Sequence, residues 1–168
     1  RTYSYAAKMK HTSCTVLDTR KTTPGLRLLE KWAVALGGGG NHRMGLYDMV
    51  MLKDNHVDFA GGIKAAVART KAYLAQKNRT LAIEVETRNL QEVKEALQAG
   101  VDRIILDNFT VSATKEAVEY IAGRTEVESS GGITRHTLVP YAECGVDYIS
   151  VGALTHHFKG LDMSLKAL

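Results

Sequence analysis

Four short β-branched runs recur every 22 residues, centred on Ile83, Ile105, Val127 and Ile149. That period has room for one strand, one turn and one helix. Strands separated by helices must run parallel, and their crossovers are right-handed. Two earlier runs, Cys14–Asp18 and Met49–Lys53, extend the series. With Leu81–Glu86, Arg103–Asp107, Thr125–Ser129 and Asp147–Val151 they make six predicted strands. Most are near-continuous apolar runs, the pattern of strands covered on both faces. The chain has 168 residues, too few for an eight-stranded βα barrel, which takes about 200–250. Six βα units make either an open doubly wound sheet or a small six-stranded barrel.

The intervening segments read as helices. Leu26–Leu36 follows Pro24-Gly25, and Phe59–Gln76 is alanine-rich with a helical period. Asn89–Ala99 opens on a capping box, Asn89 with Glu92, and carries Leu90, Val93 and Leu97 on one face. Gly100 stands where a helix-terminating glycine belongs, and Ser112–Ala122 ends at Gly123 in the same way. A last helix runs to Cys144 and Gly145. Pro140 sets its regular part to begin near Leu138. One domain over residues 1–168 is expected, with Gly37–Gly40 its one low-complexity stretch.

No apolar run approaches the ~18 residues of a membrane span. The basic N-terminus lacks the apolar region of a signal peptide. Cys14 and Cys144 form no metal or redox pair and read as free thiols, so a cytoplasmic protein is expected. The net charge is +4, from 22 basic and 18 acidic residues. The basic residues are scattered and not interleaved with stacking aromatics, a poor pattern for nucleic acid. A small anionic ligand uses the same excess better.

Polar groups end all six strands: Asp18-Thr19-Arg20-Lys21, Lys53-Asp54-Asn55-His56, Glu84 with Glu86, Asp107-Asn108, Glu128-Ser129-Ser130-Gly131-Gly132, and Gly152 leading to His156-His157. In a parallel α/β fold all of these ends open on one face, where ligands bind. Arg20, Lys21, His42, Arg43 and Lys53 make a cationic cluster suited to carboxylates or phosphates. Glu86 and Asp107 make an acidic pair suited to ribose hydroxyls, a developing cation or hydrated Mg²⁺. Glu84 reads as a charge paired across the mouth. It shares a face with Glu86 only if the strand is regular.

Ser129-Ser130-Gly131-Gly132 and Val151-Gly152-Ala153 follow the last two strands. Barrels often hold a phosphate between these loops, where glycine lets backbone N–H groups approach an anion. The Gly37–Gly40 run matches no nucleotide-binding motif. It reads as a floppy loop or as a mobile one that delivers His42 and Arg43. His11, His56, His136 and His157 lack zinc-ligand spacing.

Taken together, Asp18-Thr19-Arg20-Lys21-Thr22-Thr23-Pro24-Gly25, Asn41-His42-Arg43, Lys53-Asp54-Asn55-His56, Leu106-Asp107-Asn108-Phe109, Glu128-Ser129-Ser130-Gly131-Gly132 and Val151-Gly152-Ala153-Leu154-Thr155-His156 resemble quinolinate phosphoribosyltransferase. The resemblance covers nearly the whole chain. It implies an α/β fold, an incomplete parallel barrel of about six strands with outer helices. It implies synthesis of nicotinate mononucleotide from quinolinate and phosphoribosyl pyrophosphate, with release of pyrophosphate and CO₂, in de novo NAD synthesis.

Site roles follow from the same likeness. Thr19, Arg20, Lys21, His42, Arg43 and Lys53 would hold the quinolinate carboxylates and the pyrophosphate. Glu86 and Asp107 would contact the ribose and organise Mg²⁺. Ser130, Gly131, Gly132, Val151, Gly152, Ala153 and His156 would bind the 5′-phosphate. The family carries a further N-terminal domain and forms homodimers or larger homo-oligomers, with an arginine from a neighbouring subunit completing the site. Residues 1–168 would then be the catalytic barrel alone, with apolar surface left uncovered. A pyrophosphorylase-like enzyme for another base and a non-catalytic phosphosugar-binding module are the competing readings.

Overall fold

The computed structural model describes residues 1–156, 160 and 163–166. Expectations that touch His157, Leu161 and Leu168 lie outside the described residues. Six strands form one sheet: β1 (Thr15–Leu17), β2 (Val50–Leu52), β3 (Ile83–Thr87), β4 (Arg103–Asp107), β5 (Glu126–Ser130) and β6 (Tyr148–Ser150). Every pairing is parallel, in the order β1-β6-β5-β4-β3-β2. β1 and β2 are the two ends and do not pair, so the barrel is incomplete.

Seven α-helices accompany the strands: α1 (Thr2–Ala6), α2 (Arg27–Leu36), α3 (Asp54–Ala60), α4 (Ile63–Gln76), α5 (Leu90–Ala99), α6 (Val111–Ile121) and α7 (Leu138–Ala142). The N-terminal helix α1 has no counterpart in the sequence expectations. The single helix expected over Phe59–Gln76 is two. Gly61 and Gly62 take positive φ values of 85° and 118°, which L-residues rarely adopt, and separate α3 from α4. The ends of α5 and α6 also differ from expectation. Asn89 accepts the Glu92 N–H as a cap should, but the Glu92 carboxylate turns to Arg88 N–H instead of closing the box. At the end of α6, Ala122 adopts the left-handed conformation ahead of Gly123.

Alternate residues along the strands separate two environments. Ile83, Val85, Ile104, Leu106, Val127 and Ile149 face outward and form the core with Val93, Ala96, Ala117 and Ile121 of the helices. Each Val, Leu or Ile side chain among them, once buried, contributes ~1.5–3 kcal/mol. The inward set is largely polar: Lys53, Glu84 and Glu86, Arg103 and Asp107, Glu128 and Ser130. The strands are therefore not apolar on both faces, as their composition implied.

A repeated Gly-Val-Asp triplet starts two of the units. Gly100 and Gly145 take positive φ after helices, Val101 and Val146 are buried, and Asp102 and Asp147 clamp the neighbouring strand. Asp102 accepts the Ile83 N–H at 2.8 Å and Asp147 the Val127 N–H at 2.8 Å. Each also donates its own N–H back to the carbonyl of that residue. The clamp extends each parallel ladder by one register below the strand.

The open seam beside β1 is lined by the glycine run. Gly40 N–H donates to Val16 O at 2.8 Å, and Asp18 N–H donates to Gly40 O at 3.2 Å. A Cβ on Gly39 would come within 3.1 Å of Val16 O, and one on Gly40 within 2.7 Å of a Leu17 methyl. Glycine is needed here for close packing, so this segment is neither the floppy nor the mobile loop expected from its composition.

Candidate active site

The C-terminal ends of the strands surround a cleft of about 820 Å³. It is lined by Thr19, Arg20, Lys21, His42, Arg43, Lys53, Glu86, Asp107, Ser130, Gly131, Gly132, Gly152, Ala153 and His156. Val151 is the exception among the expected site residues. Its side chain is buried in the apolar core, because its place in the β6 register turns it toward the helices. Its backbone N–H donates to Leu17 O and so joins the end of β6 to β1.

The cationic wall rests on a buried knot behind β1. Lys31 of α2 and Asp18 are almost wholly buried, with Lys31 Nζ at 2.5 Å from Asp18 Oδ1 and 2.7 Å from His42 O. Asp18 also accepts His42 N–H at 2.9 Å and Asn41 Nδ2 at 2.6 Å. This fixes the segment carrying His42 and Arg43 against the loop carrying Arg20 and Lys21. Arg27 braces that loop through Thr22 Oγ1, Arg20 O and Met44 O.

Arg20 Nε and Arg43 Nε are both buried with no hydrogen-bond partner. Burial lowers the Arg43 pKa from its usual value, and the nearby Arg20 charge pulls the same way while Glu84 opposes it. Buried donors on two neighbouring cations call for a multiply charged anion. On the next strands, Lys53 pairs with Glu86, and Asp107 Oδ2 accepts Asn108 Nδ2 at 2.8 Å. Lys53 is also held at the backbone, where its N–H donates to His56 Nδ1 at the start of α3.

The two glycine loops are shaped by contact. Gly131 has φ 93°, and a Cβ there would fall 2.2 Å from Asn108 Oδ1. A Cβ on Gly152 would fall 2.4 Å from His156 Nε2, while on Gly132 it would meet nothing within 4 Å. Gly132 therefore borders open space in the cleft, with its neighbours packed tightly around it. Arg1 secures the second loop from behind, its guanidinium donating to Ala153 O at 2.7 Å and His156 O at 3.3 Å. Gly131→Ala is expected to cost more than about 1 kcal/mol in urea denaturation, because it adds a clash to an unfavourable φ. It should also weaken ribose 5-phosphate binding in calorimetry.

Below the cleft, His42 Nε2 lies 3.2 Å from Glu84 Oε2 and 3.4 Å from Glu128 Oε2. Among the described residues these three form the group whose ligand atoms lie close enough to share a metal ion. Burial disfavours a charged ring, yet Glu128 and Glu84 outweigh it and raise the His42 pKa to about 9. Burial would raise the Glu128 pKa, but its contact with His42 holds it below the usual carboxylate value. Sequence reasoning gave Glu128 and Arg103 no role. The signal was there in the alternation Glu126-x-Glu128 and Glu84-x-Glu86, which puts each pair of acids on the inward face.

Residues 1–166 match the family model for the quinolinate phosphoribosyl transferase C-terminal domain. The chain belongs to this family. It is 52% identical over 166 residues to the chloroplastic nicotinate-nucleotide pyrophosphorylase [carboxylating] of Arabidopsis thaliana, covering 90% of this chain and 48% of that protein. It is 43% identical over 150 residues to a probable nicotinate-nucleotide pyrophosphorylase [carboxylating] of Bacillus subtilis, covering 89% and 51%. Its fold superposes on NadC from Streptococcus pyogenes with a TM-score of 0.92 at 43% identity, covering 99% of this chain and 57% of that one. The chain thus spans about half the length of the curated relatives it matches.

Proposed function

We propose that this transferase-family barrel catalyses, within the enzyme it belongs to, the reaction of quinolinate with phosphoribosyl pyrophosphate. The products are nicotinate mononucleotide, pyrophosphate and CO₂, as de novo NAD synthesis requires. The observation that carries this reading is the sorting of charge around one cleft. Two half-buried guanidinium groups with buried, unpartnered Nε donors stand on one side, an acidic pair in the middle, and two glycine loops opposite.

Arg20 and Arg43 bind the quinolinate carboxylates and orient the ring. Lys21 and Lys53 neutralise the pyrophosphate as it departs with the electron pair of the C1–O bond. The ribose C1 gains positive charge, which the Glu86 and Asp107 carboxylates favour. The pyridine nitrogen then bonds to C1 and becomes quaternary. The positive charge on that nitrogen stabilises the electron pair left at C2 as CO₂ departs, and C2 then takes a proton from water. Ser130, Gly131, Gly132, Gly152 and Ala153 hold the 5′-phosphate through the loop backbone, with His156 beside them.

Glu86 and Asp107 supply hard oxygen donors of the kind Mg²⁺ prefers, and each carboxylate has an oxygen beyond the one given to Lys53 or Asn108. Bound there, Mg²⁺ would supply charge neutralisation to the pyrophosphate.

The assay is formation of nicotinate mononucleotide from quinolinate, phosphoribosyl pyrophosphate and Mg²⁺, for this chain alone and with the other half of a relative supplied. Product in either format supports the reading. Absence of product from both, with calorimetry showing binding of ribose 5-phosphate but not of quinolinate, would establish the phosphosugar-binding module instead.

We further propose that the working form is a homo-oligomer. Leu28, Trp32 and Leu36 lie on one face of α2 and are 70%, 61% and 73% exposed. Such a stripe is the kind of surface that association covers. Sedimentation should show self-association that Leu28→Ser with Trp32→Ser reduces; a stable wild-type monomer would argue against it. Among the described residues no helix is long and apolar enough to cross a membrane. A cytoplasmic location rests on the free thiols Cys14 and Cys144, while plant relatives carry chloroplastic and mitochondrial names.

A further inference from the structure

Beneath the cleft lies a layer of buried charge that the reaction above does not use. Glu84 of β3 and Glu128 of β5 are buried inside the barrel, 0% and 1% exposed. Arg103, at the start of β4, reaches toward both. Its Nη1 lies 3.2 Å from Glu128 Oε2 and 3.9 Å from Glu84 Oε2, while its Nη2 lies 2.8 Å from Glu126 Oε2. The Tyr148 ring packs on the guanidinium at 4.0 Å. One guanidinium thus serves three carboxylates, and neither oxygen of Glu84 accepts a hydrogen bond. Buried carboxylates in that condition draw strongly on the nearest available proton.

The nearest is on His42. Its Nδ1 accepts the Arg43 N–H at 2.8 Å, so the ring proton sits on Nε2, which lies within ion-pair distance of Glu84 and Glu128 but in hydrogen-bond geometry to neither. A proton on Nδ1, in the opposite tautomer or in a doubly protonated ring, would face the Arg43 N–H and leave a part-buried backbone donor unsatisfied, so this contact opposes the upward push of Glu128 and Glu84 on the ring. Among the described residues, the Arg43 side chain is anchored by Nη1 to Met49 O at 3.2 Å, and its Nε has no partner. Its aim into the cleft therefore depends on its backbone. The three-residue group His42, Glu84 and Glu128 also has the donors of a divalent-cation site, but Arg103 already supplies the positive charge a metal would bring.

We propose that Glu84, Glu128 and Arg103 are positioning residues for Arg43, acting through the His42 ring. The carboxylates hold the Nε2–H tautomer, Nδ1 pins the Arg43 amide, and the guanidinium is set over the cleft. Arg103 keeps the two carboxylates charged and apart without taking the His42 proton. The further consequence, that anion affinity depends on this layer, rests on the proposed role of Arg43 in binding a carboxylate.

Amide hydrogen exchange by NMR tests the positioning directly and needs no ligand. The Arg43 amide should be protected in the unaltered chain. Glu84→Gln and Glu128→Gln should each speed its exchange at least tenfold while the Ile104 and Ile105 amides of β4 stay protected. Arg103→Lys, which keeps the charge, should retain most of the protection. Calorimetry should show quinolinate binding weakened about tenfold in the two Gln variants, with ribose 5-phosphate binding unchanged.

An Arg43 amide that exchanges freely in the unaltered chain would overturn the proposal, whatever the variants do. So would unchanged Arg43 protection in both Gln variants, or equal loss of quinolinate and ribose 5-phosphate affinity. An unaltered chain that shows the protection pattern but binds no quinolinate would sink the proposed function and leave the positioning role supported.

Discussion

Lys53→Ala is expected to reduce formation of nicotinate mononucleotide by about 10²–10³ at saturating substrate, the size seen when one transition-state electrostatic partner is removed. Lys53 stands at the end of β2 with its backbone fixed by His56 and its ammonium on Glu86. Its side chain is 47% exposed, so the fold does not depend on it. Removing it takes away positive charge where pyrophosphate gathers negative charge. It also leaves Glu86 without its partner. Steady-state kinetics alongside an unchanged urea midpoint would separate this from unfolding. Turnover within a few-fold of the unaltered enzyme would remove Lys53 from the mechanism.

Lys31→Met is expected to be the most destabilising of the substitutions considered, by about 3–5 kcal/mol, because it strands a buried charge. Lys31 and Asp18 are 1% and 0% exposed. Without the ammonium, Asp18 keeps only the neutral donors of Asn41 and the His42 backbone. His42 O loses its donor at the same time. The measurement is a shift in the urea midpoint at constant slope. A loss below about 1 kcal/mol would mean that Asp18 is relieved by protonation or by water. Because the knot carries His42 and Arg43, quinolinate binding should weaken even where the variant stays folded.

Much of the site face was legible in order along the chain. Arg20, Lys53, Asp107 and Gly131 each follow a strand, and parallel strands bring their ends together whatever the details of closure. His42 and Arg43 were legible as members of the cationic cluster, although they follow no strand of their own. The structure places them by a bridge between Gly40 and β1 across the open seam. The glycine run looked like slack because composition does not reveal crowding; Thr2, Val34, Val16 O and Leu17 are what would crowd side chains there. Val151 was misplaced for a related reason, since adjacency to Gly152 said nothing about which face its side chain takes.

The partnerships inside the barrel were beyond local reading. Lys31, within the helix expected over Leu26–Leu36, is buried on Asp18, 13 residues away in sequence. Arg103, named in the sequence only as the start of a strand, serves Glu126, Glu128 and Glu84. By itself, the sequence determined the period of the units, the parallel direction of the strands and the face on which ligands bind. These follow from spacing between neighbours along the chain and from the fixed hand of the crossover. Tertiary structure alone decided that the barrel stays open between β1 and β2, that its interior is charged, and that His42 turns one nitrogen to carboxylates and the other to Arg43. Those depend on how distant strands register across the sheet, and no local pattern of residues encodes that.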